Sequence, residues 1–151
     1  MRILKYLFLL LLLSLVALSI FVATQKGEFT LERSRVINSP KSAVFNYVNE
    51  TKNWGDWNSW AVEDSLMHVT LSKNTLGKGS LCSWEGKAGS GDLKTLYAKV
   101  NDSILQTMNF NGNSSEVFMS FKDTLKGTKV TWKAMGKMSF MYKIMNTFNG
   151  G

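Results

Sequence analysis

Apolar and polar residues alternate differently in three stretches of this chain. Ile3 to Ala23 is almost wholly apolar, with Lys5 as its only interior charge. About twenty residues rising ~1.5 Å each span a hydrocarbon core of ~30 Å, so this stretch predicts one transmembrane helix over residues 1–24. A cleaved signal peptide would need a shorter apolar region and an Ala-x-Ala-like site, for which Phe21 to Gly27 is a poor match. Residues 25–28 form a brief polar linker. Phe29 to Ile37 then reads as a strand, with Phe29, Leu31, Arg33 and Arg35 on one parity. Asn38-Ser39-Pro40 stops it. Ser39 is expected as the N-cap and Pro40 as the first residue of a helix to about Asn49, with Val44, Phe45 and Val48 on one face. A short second helix or turn follows.

From Leu66 the period drops to two. Strands are expected at Leu66–Ser72, Ser80–Glu85, Asp92–Val100, Ser103–Phe110, Glu116–Lys122 and Thr128–Met135. Turn residues separate them: Gly77 and Gly79, Gly86 to Gly91, Asn101-Asp102, Asn111 to Ser114, and Lys126-Gly127. Met141, Ile144, Met145 and Phe148 recur at helical spacing, so Met138–Phe148 is expected to be a helix. The order is one strand, two short helices, about six antiparallel strands and a final helix. That is an α+β domain over residues 29–151, with the helices available to cover one face of a curved antiparallel sheet.

Charge adds little. The net charge is +7, of which Arg2 and Lys5 supply two in a segment without acids, leaving +5 on the rest. The lysines are scattered, which describes a solvated basic surface and excludes a dedicated nucleic-acid face. Arg2 and Lys5 are expected to hold the N-terminus in the cytoplasm, with the globular part on the far side of the membrane.

Candidate chemistry is sparse. The single cysteine, Cys82, permits no internal disulfide and reads as a small buried strand residue. The single histidine, His68, has no motif tying it to Cys82. No cluster of His, Cys, Asp and Glu has metal-ligand spacing, so neither a metal nor a cofactor is expected. Gly86-Lys-Ala-Gly-Ser-Gly91 lacks the Gly-Lys-Ser/Thr of a phosphate loop and lies between strands. Glu85 beside Trp84, and Asp56 among the tryptophans, are the carboxylates nearest large aromatics. Either could serve an enzyme with a tyrosine such as Tyr97. Aromatic and methionine residues are the more informative group. Three of the five tryptophans fall in the run Trp54, Trp57, Trp60. As a set they suit an apolar pocket between sheet and helix.

Four segments, taken in order, resemble the START-like SRPBCC superfamily. They are Asn38-Ser-Pro-Lys-Ser-Ala-Val-Phe45, Asn53-Trp54 with Trp57-Asn-Ser-Trp60, Ser83-Trp-Glu-Gly86, and Thr128-Lys-Val-Thr-Trp-Lys-Ala-Met-Gly136. More narrowly, they look like bacterial members of the polyketide cyclase/dehydrase and lipid transport type that carry an N-terminal membrane anchor. The resemblance covers roughly Phe29 to Phe148. It implies a helix-grip fold, in which an antiparallel sheet wraps a long C-terminal helix around a hydrophobic cavity. Family members continue past the equivalent of Phe148, so the final helix is expected to be cut short at Gly151. The superfamily shares no catalytic residue. What it implies is binding or transport of a hydrophobic small molecule or lipid. The alternatives are a cyclase or hydrolase acting on an apolar substrate, and a membrane-tethered protein-interaction module. Trp57, Trp60, Trp84, Phe118, Trp132, Met141 and Met145 are the expected cavity lining, with Trp54 as a packing anchor.

Overall fold

The computed structural model of the chain describes residues 2–25, 27–140 and 143–144, apart from the side chain of Trp60. It divides into two compact units, residues 1–29 with 137–151 and residues 30–136.

In the first unit, helix α1 (Arg2–Thr24) is long and apolar enough to cross a membrane, a test that a signal sequence also passes. Leu11 and Leu15 carbonyls accept the hydroxyls of Ser14 and Ser19, so the helix satisfies its own polar side chains. The expected C-terminal helix falls largely outside the described residues. Phe140, Lys143 and Ile144 are helical.

The second unit is built on a seven-stranded antiparallel sheet. Its strands are β1 (Glu28–Ile37), β2 (His68–Leu71), β3 (Leu81–Gly86), β4 (Gly89–Lys99), β5 (Ser103–Phe110), β6 (Asn113–Thr124) and β7 (Gly127–Lys137). Their spatial order is β1-β7-β6-β5-β4-β3-β2, an open meander with the first strand added beyond the last. Strand existence and order follow the period-two reading. Most ends are extended or trimmed, because ladder pairing continues as far as each turn allows. The clearest turn is Asn111-Gly112, where φ values of 49° and 82° place both residues in the left-handed region. Two such residues match the right-handed twist of the flanking strands, so the loop needs only two residues, fewer than the predicted four. Between Thr95 and Tyr97 the β4–β5 register slips by one, a bulge that increases local twist.

Because β1 and β2 occupy opposite edges, the chain between them must cross the sheet. It does so as α2 (Lys41–Asn49), a 3₁₀ turn (Thr51–Asn53), α3 (Trp54–Trp57) and α4 (Ser59–Glu63). Two aromatic contacts pin this crossing to what we call the inner face. Phe45 meets Phe121 of β6 edge-to-face, at 5.4 Å between centroids and 77° between planes. Trp54 stacks on Trp84 of β3 at 5.0 Å and 25°, and Trp84 stacks in turn on Phe110 at 6.3 Å. Aromatic pairs in these geometries add about 0.5–1.5 kcal/mol each beyond the area they bury.

The start of α2 differs from the sequence reading. Pro40, with ψ 146°, is itself the N-cap, and the helix begins at Lys41 with no side-chain cap. Ser39 is used otherwise: its carbonyl accepts the Thr128 hydroxyl at 2.8 Å, which ties the entry of α2 to β7. The far end of α2 is held by the loop before β3, where Thr51 bonds the Thr75 carbonyl through both its amide and its hydroxyl. A buried polar cluster sits mid-sheet, with Ser80 donating to the Thr95 hydroxyl and Gln106 donating to the same oxygen. Each group in it is partnered, which burial requires.

Two substitutions test this arrangement. Trp54→Ala is expected to destabilise the fold by about 3–5 kcal/mol, because it removes a buried indole from the helix end of the Trp54–Trp84–Phe110 stack; denaturant titration measures it. At Gly91 a Cβ would overlap the Asn109 carbonyl oxygen and come within 2.6 Å of the Trp84 ring. Gly91→Ala should therefore shift Trp84, at a cost of about 1–3 kcal/mol, with an altered near-UV circular dichroism spectrum.

Candidate functional site

The crossing covers only part of the inner face. Trp54 and Trp84 close the β3 end. Toward β1 and β7, α2 and α3 stand off the sheet and leave a groove of about 980 Å³. Its floor is Met119, Val130 and Trp132, which cross-strand pairing sets on one face: Met119 opposite Trp132, and Phe121 opposite Val130. One wall is the face of α2 that carries Ala43, Val44, Tyr47 and Val48, continued by Trp57 of α3. The other wall is β1, whose alternation turns Leu31, Arg33, Arg35 and Ile37 to the groove. Leu31 and Ile37 are 40% and 38% exposed, high for aliphatic side chains in a strand. A volume at the upper end of the ~300–1,000 Å³ usual for ligand sites, with mainly apolar walls, suits a small-molecule guest.

Polar groups mark two places at its rim. The Tyr47 hydroxyl donates to an Asp56 carboxylate oxygen at 3.0 Å. That hydrogen bond, followed by partial burial and the carboxylate charge, holds the phenol above its ordinary pKa of 10.0. Among the described residues, the indole Nε1 of Trp57 is buried without a hydrogen-bond partner.

The sequence-derived residues distribute unevenly. Trp57 and Trp132 both line the groove. Trp84 does not: it is 2% exposed, covered by Trp54 and Phe110, and belongs to the core. Phe118 is on the opposite, outer face, since it pairs with Lys133 and Leu105 while its neighbours Val117 and Met119 point inward. Three consecutive apolar residues leave the parity of that strand undecided in sequence, and register decides it. The side chain of Trp60, and Met141 and Met145, lie outside the described residues. Sequence reasoning missed Tyr47, Val48, Met119, Val130 and the β1 wall. The β1 parity of Leu31, Arg33 and Arg35 and the helix face shared by Val44 and Val48 carried a signal.

Other expected chemistry is dispersed. Glu85 is exposed on the outer face opposite His68, and Tyr97 shares that face with Leu105. Asp56 is also exposed, but its tyrosine partner is Tyr47, not Tyr97. A shallow polar hollow of about 340 Å³ lies around Glu85, His68, Asp92 and Asn109. Among the described residues no group of three His, Cys, Asp or Glu could hold a metal ion. Cys82 is fully buried on the inner face, away from His68, and burial pushes its thiol up to about 11.

No protein-family model and no curated protein matches the chain. Solved structures do match it. An uncharacterized protein from Rhizobium leguminosarum is 17% identical, with a TM-score of 0.54 over 72% of this chain and 76% of its own. Protein CV1439 of Chromobacterium violaceum is 10% identical, with a TM-score of 0.57 over 77% of this chain and 92% of its own. DynU16, a protein of the dynemicin biosynthetic locus, is 12% identical, with a TM-score of 0.53 over 81% of this chain and 42% of its own. These likenesses show the fold, that of small bacterial α+β proteins with a curved antiparallel sheet.

The Cys82 thiol gives a pH prediction. Its pKa is raised in the folded chain from 9.0 to about 11. The neutral thiol favours folding, so its contribution is full below about pH 9 and is lost as pH rises toward 11. The slope is about 1.4 kcal/mol per pH unit. Cys82→Ala should lose less stability than the parent chain between pH 9 and pH 11, as measured by denaturant unfolding at each pH.

Proposed function

We propose that this domain binds a hydrophobic small molecule or lipid in the groove between β1, β7 and α2. The observation that carries the reading is the groove itself: about 980 Å³ with a floor of Met119, Val130 and Trp132 and a wall of Val44, Val48 and Trp57. Burying ~200 Å² of apolar protein surface under a ligand would favour binding by ~5 kcal/mol gross, at ~25 cal/mol per Å². Lost translational and rotational freedom offsets much of it. Methionine and indole side chains tolerate guests of varied shape.

The curved antiparallel sheet supports a START-like SRPBCC fold, and the narrower polyketide cyclase/dehydrase and lipid transport type rests on the sequence resemblance alone. Residues 1–24 serve in this reading as a membrane anchor with a cytoplasmic N-terminus, and residues 29–151 as the ligand-binding domain beyond the membrane. Only Gln25, Lys26 and Gly27 separate the end of α1 from the start of β1 along the chain.

A second reading, an enzyme acting on an apolar substrate, has one observation in its favour. The Tyr47–Asp56 hydrogen bond sits where a groove-bound molecule would meet it. A carboxylate-bonded phenol can pass a proton to or from a substrate. The partition between the two readings is chemical turnover.

Native mass spectrometry of the full chain released from detergent should find a co-purifying apolar ligand or uptake of an added fluorescent fatty acid. Trp57→Ala and Trp132→Ala should each weaken uptake about tenfold or more while the melting temperature falls by only a few degrees. No ligand and no uptake in the parent chain would sink the binding reading.

A further inference from the structure

The groove lining is mainly apolar, with Ser34, Ser39, Asn58 and Ser59 as uncharged polar members, and among the described residues the only charges in it are both positive. They are Arg33 and Arg35, turned to the same side of β1 by strand alternation, while Glu32 has the opposite parity. Among the described residues neither guanidinium meets a carboxylate; the ion pairs there are Lys41–Asp123 and Lys99–Asp102. Arg33 donates one N–H to the Glu32 carbonyl, one of the five that a guanidinium carries. Asp56, the acid at the rim, already accepts the Tyr47 hydroxyl and is not part of the lining. Two guanidinium groups with no carboxylate partner among the described residues are therefore set two residues apart on one wall of a mainly apolar trough.

We propose that the ligand is an anionic amphiphile: a single carboxylate or phosphate head held by Arg33 and Arg35, with an apolar chain lying over Met119, Trp132 and Trp57. This rests on the groove being an apolar-ligand site, and it adds the class of ligand. The physical reason is complementarity. A guanidinium presents two parallel N–H groups that match the two oxygens of a carboxylate or phosphate, and such bidentate bonds are among the strongest polar contacts available. The apolar floor sits beside them, so one molecule can satisfy both. Charged residues on an edge strand also discourage strand-to-strand aggregation. That role would need no head group, and the experiment separates the two.

Full-length protein is placed in nanodiscs of neutral lipid, with empty discs as the blank. Binding of three radiolabelled sixteen-carbon probes is measured: hexadecanoic acid, hexadecyl phosphate and hexadecanol. The expected result is that at least one of the two anions binds about tenfold or more tighter than the alcohol. Which anion does so identifies the head as carboxylate or phosphate. In Arg33→Gln/Arg35→Gln the ratio of anion to alcohol affinity should fall to about one. Equal binding of all three by the parent chain would overturn the head-group assignment and leave the groove reading standing. So would a preference that survives in the double variant. No binding of any probe by the parent chain would overturn both. The parent comparison does not depend on how the double variant folds.

Discussion

The structure depends on one topological constraint: the first strand and the second lie at opposite edges of a single sheet. The thirty residues from 38 to 67 must therefore carry the chain across the sheet face. A crossing of short helices cannot hold itself in place, because helices of four or five residues are unstable alone. Its position comes from two aromatic anchors, Phe45 on Phe121 and Trp54 on Trp84. Where both partners are large the helices sit close to the sheet. Toward β7 and β1 the described residues make no such aromatic anchor, and the groove is the space that remains.

Much of the fold was legible because alternation and turn chemistry agree along residues 66–137. Asn111-Gly112, for instance, fits both signals at once. The limits were equally physical. Ser39 and Pro40 had the residue types of a cap and a first helical position, but the Ser39 carbonyl is claimed by Thr128 from a strand far along the chain. No local pattern contains that partner.

The site was legible only in part, and two tryptophans show why. Trp84 and Trp132 stand on the same face of the same sheet, and composition treats them alike. One is roofed by Trp54 and Phe110 and joins the core, while the other is left facing the groove. The difference lies in where the crossing helices come to rest, which no strand encodes by itself. Phe118 illustrates a second limit. The run Val117-Phe118-Met119 gives no alternation to read, and one step of parity separates floor from outer surface. Tyr47 was hidden for a third reason: its partner, Asp56, is nine residues away across a helix end.

The groove walls come from distant parts of the chain, with Leu31 on the first strand and Trp132 on the last, about a hundred residues apart. During synthesis the strands from β2 to β6 can pair one by one as they emerge, since each neighbours its predecessor. The groove cannot exist until β7 arrives and β1 joins it. A nascent chain would thus have no groove until residues 127–137 had left the ribosome, and any molecule bound there would bridge β1 and β7, the strand pair that forms last.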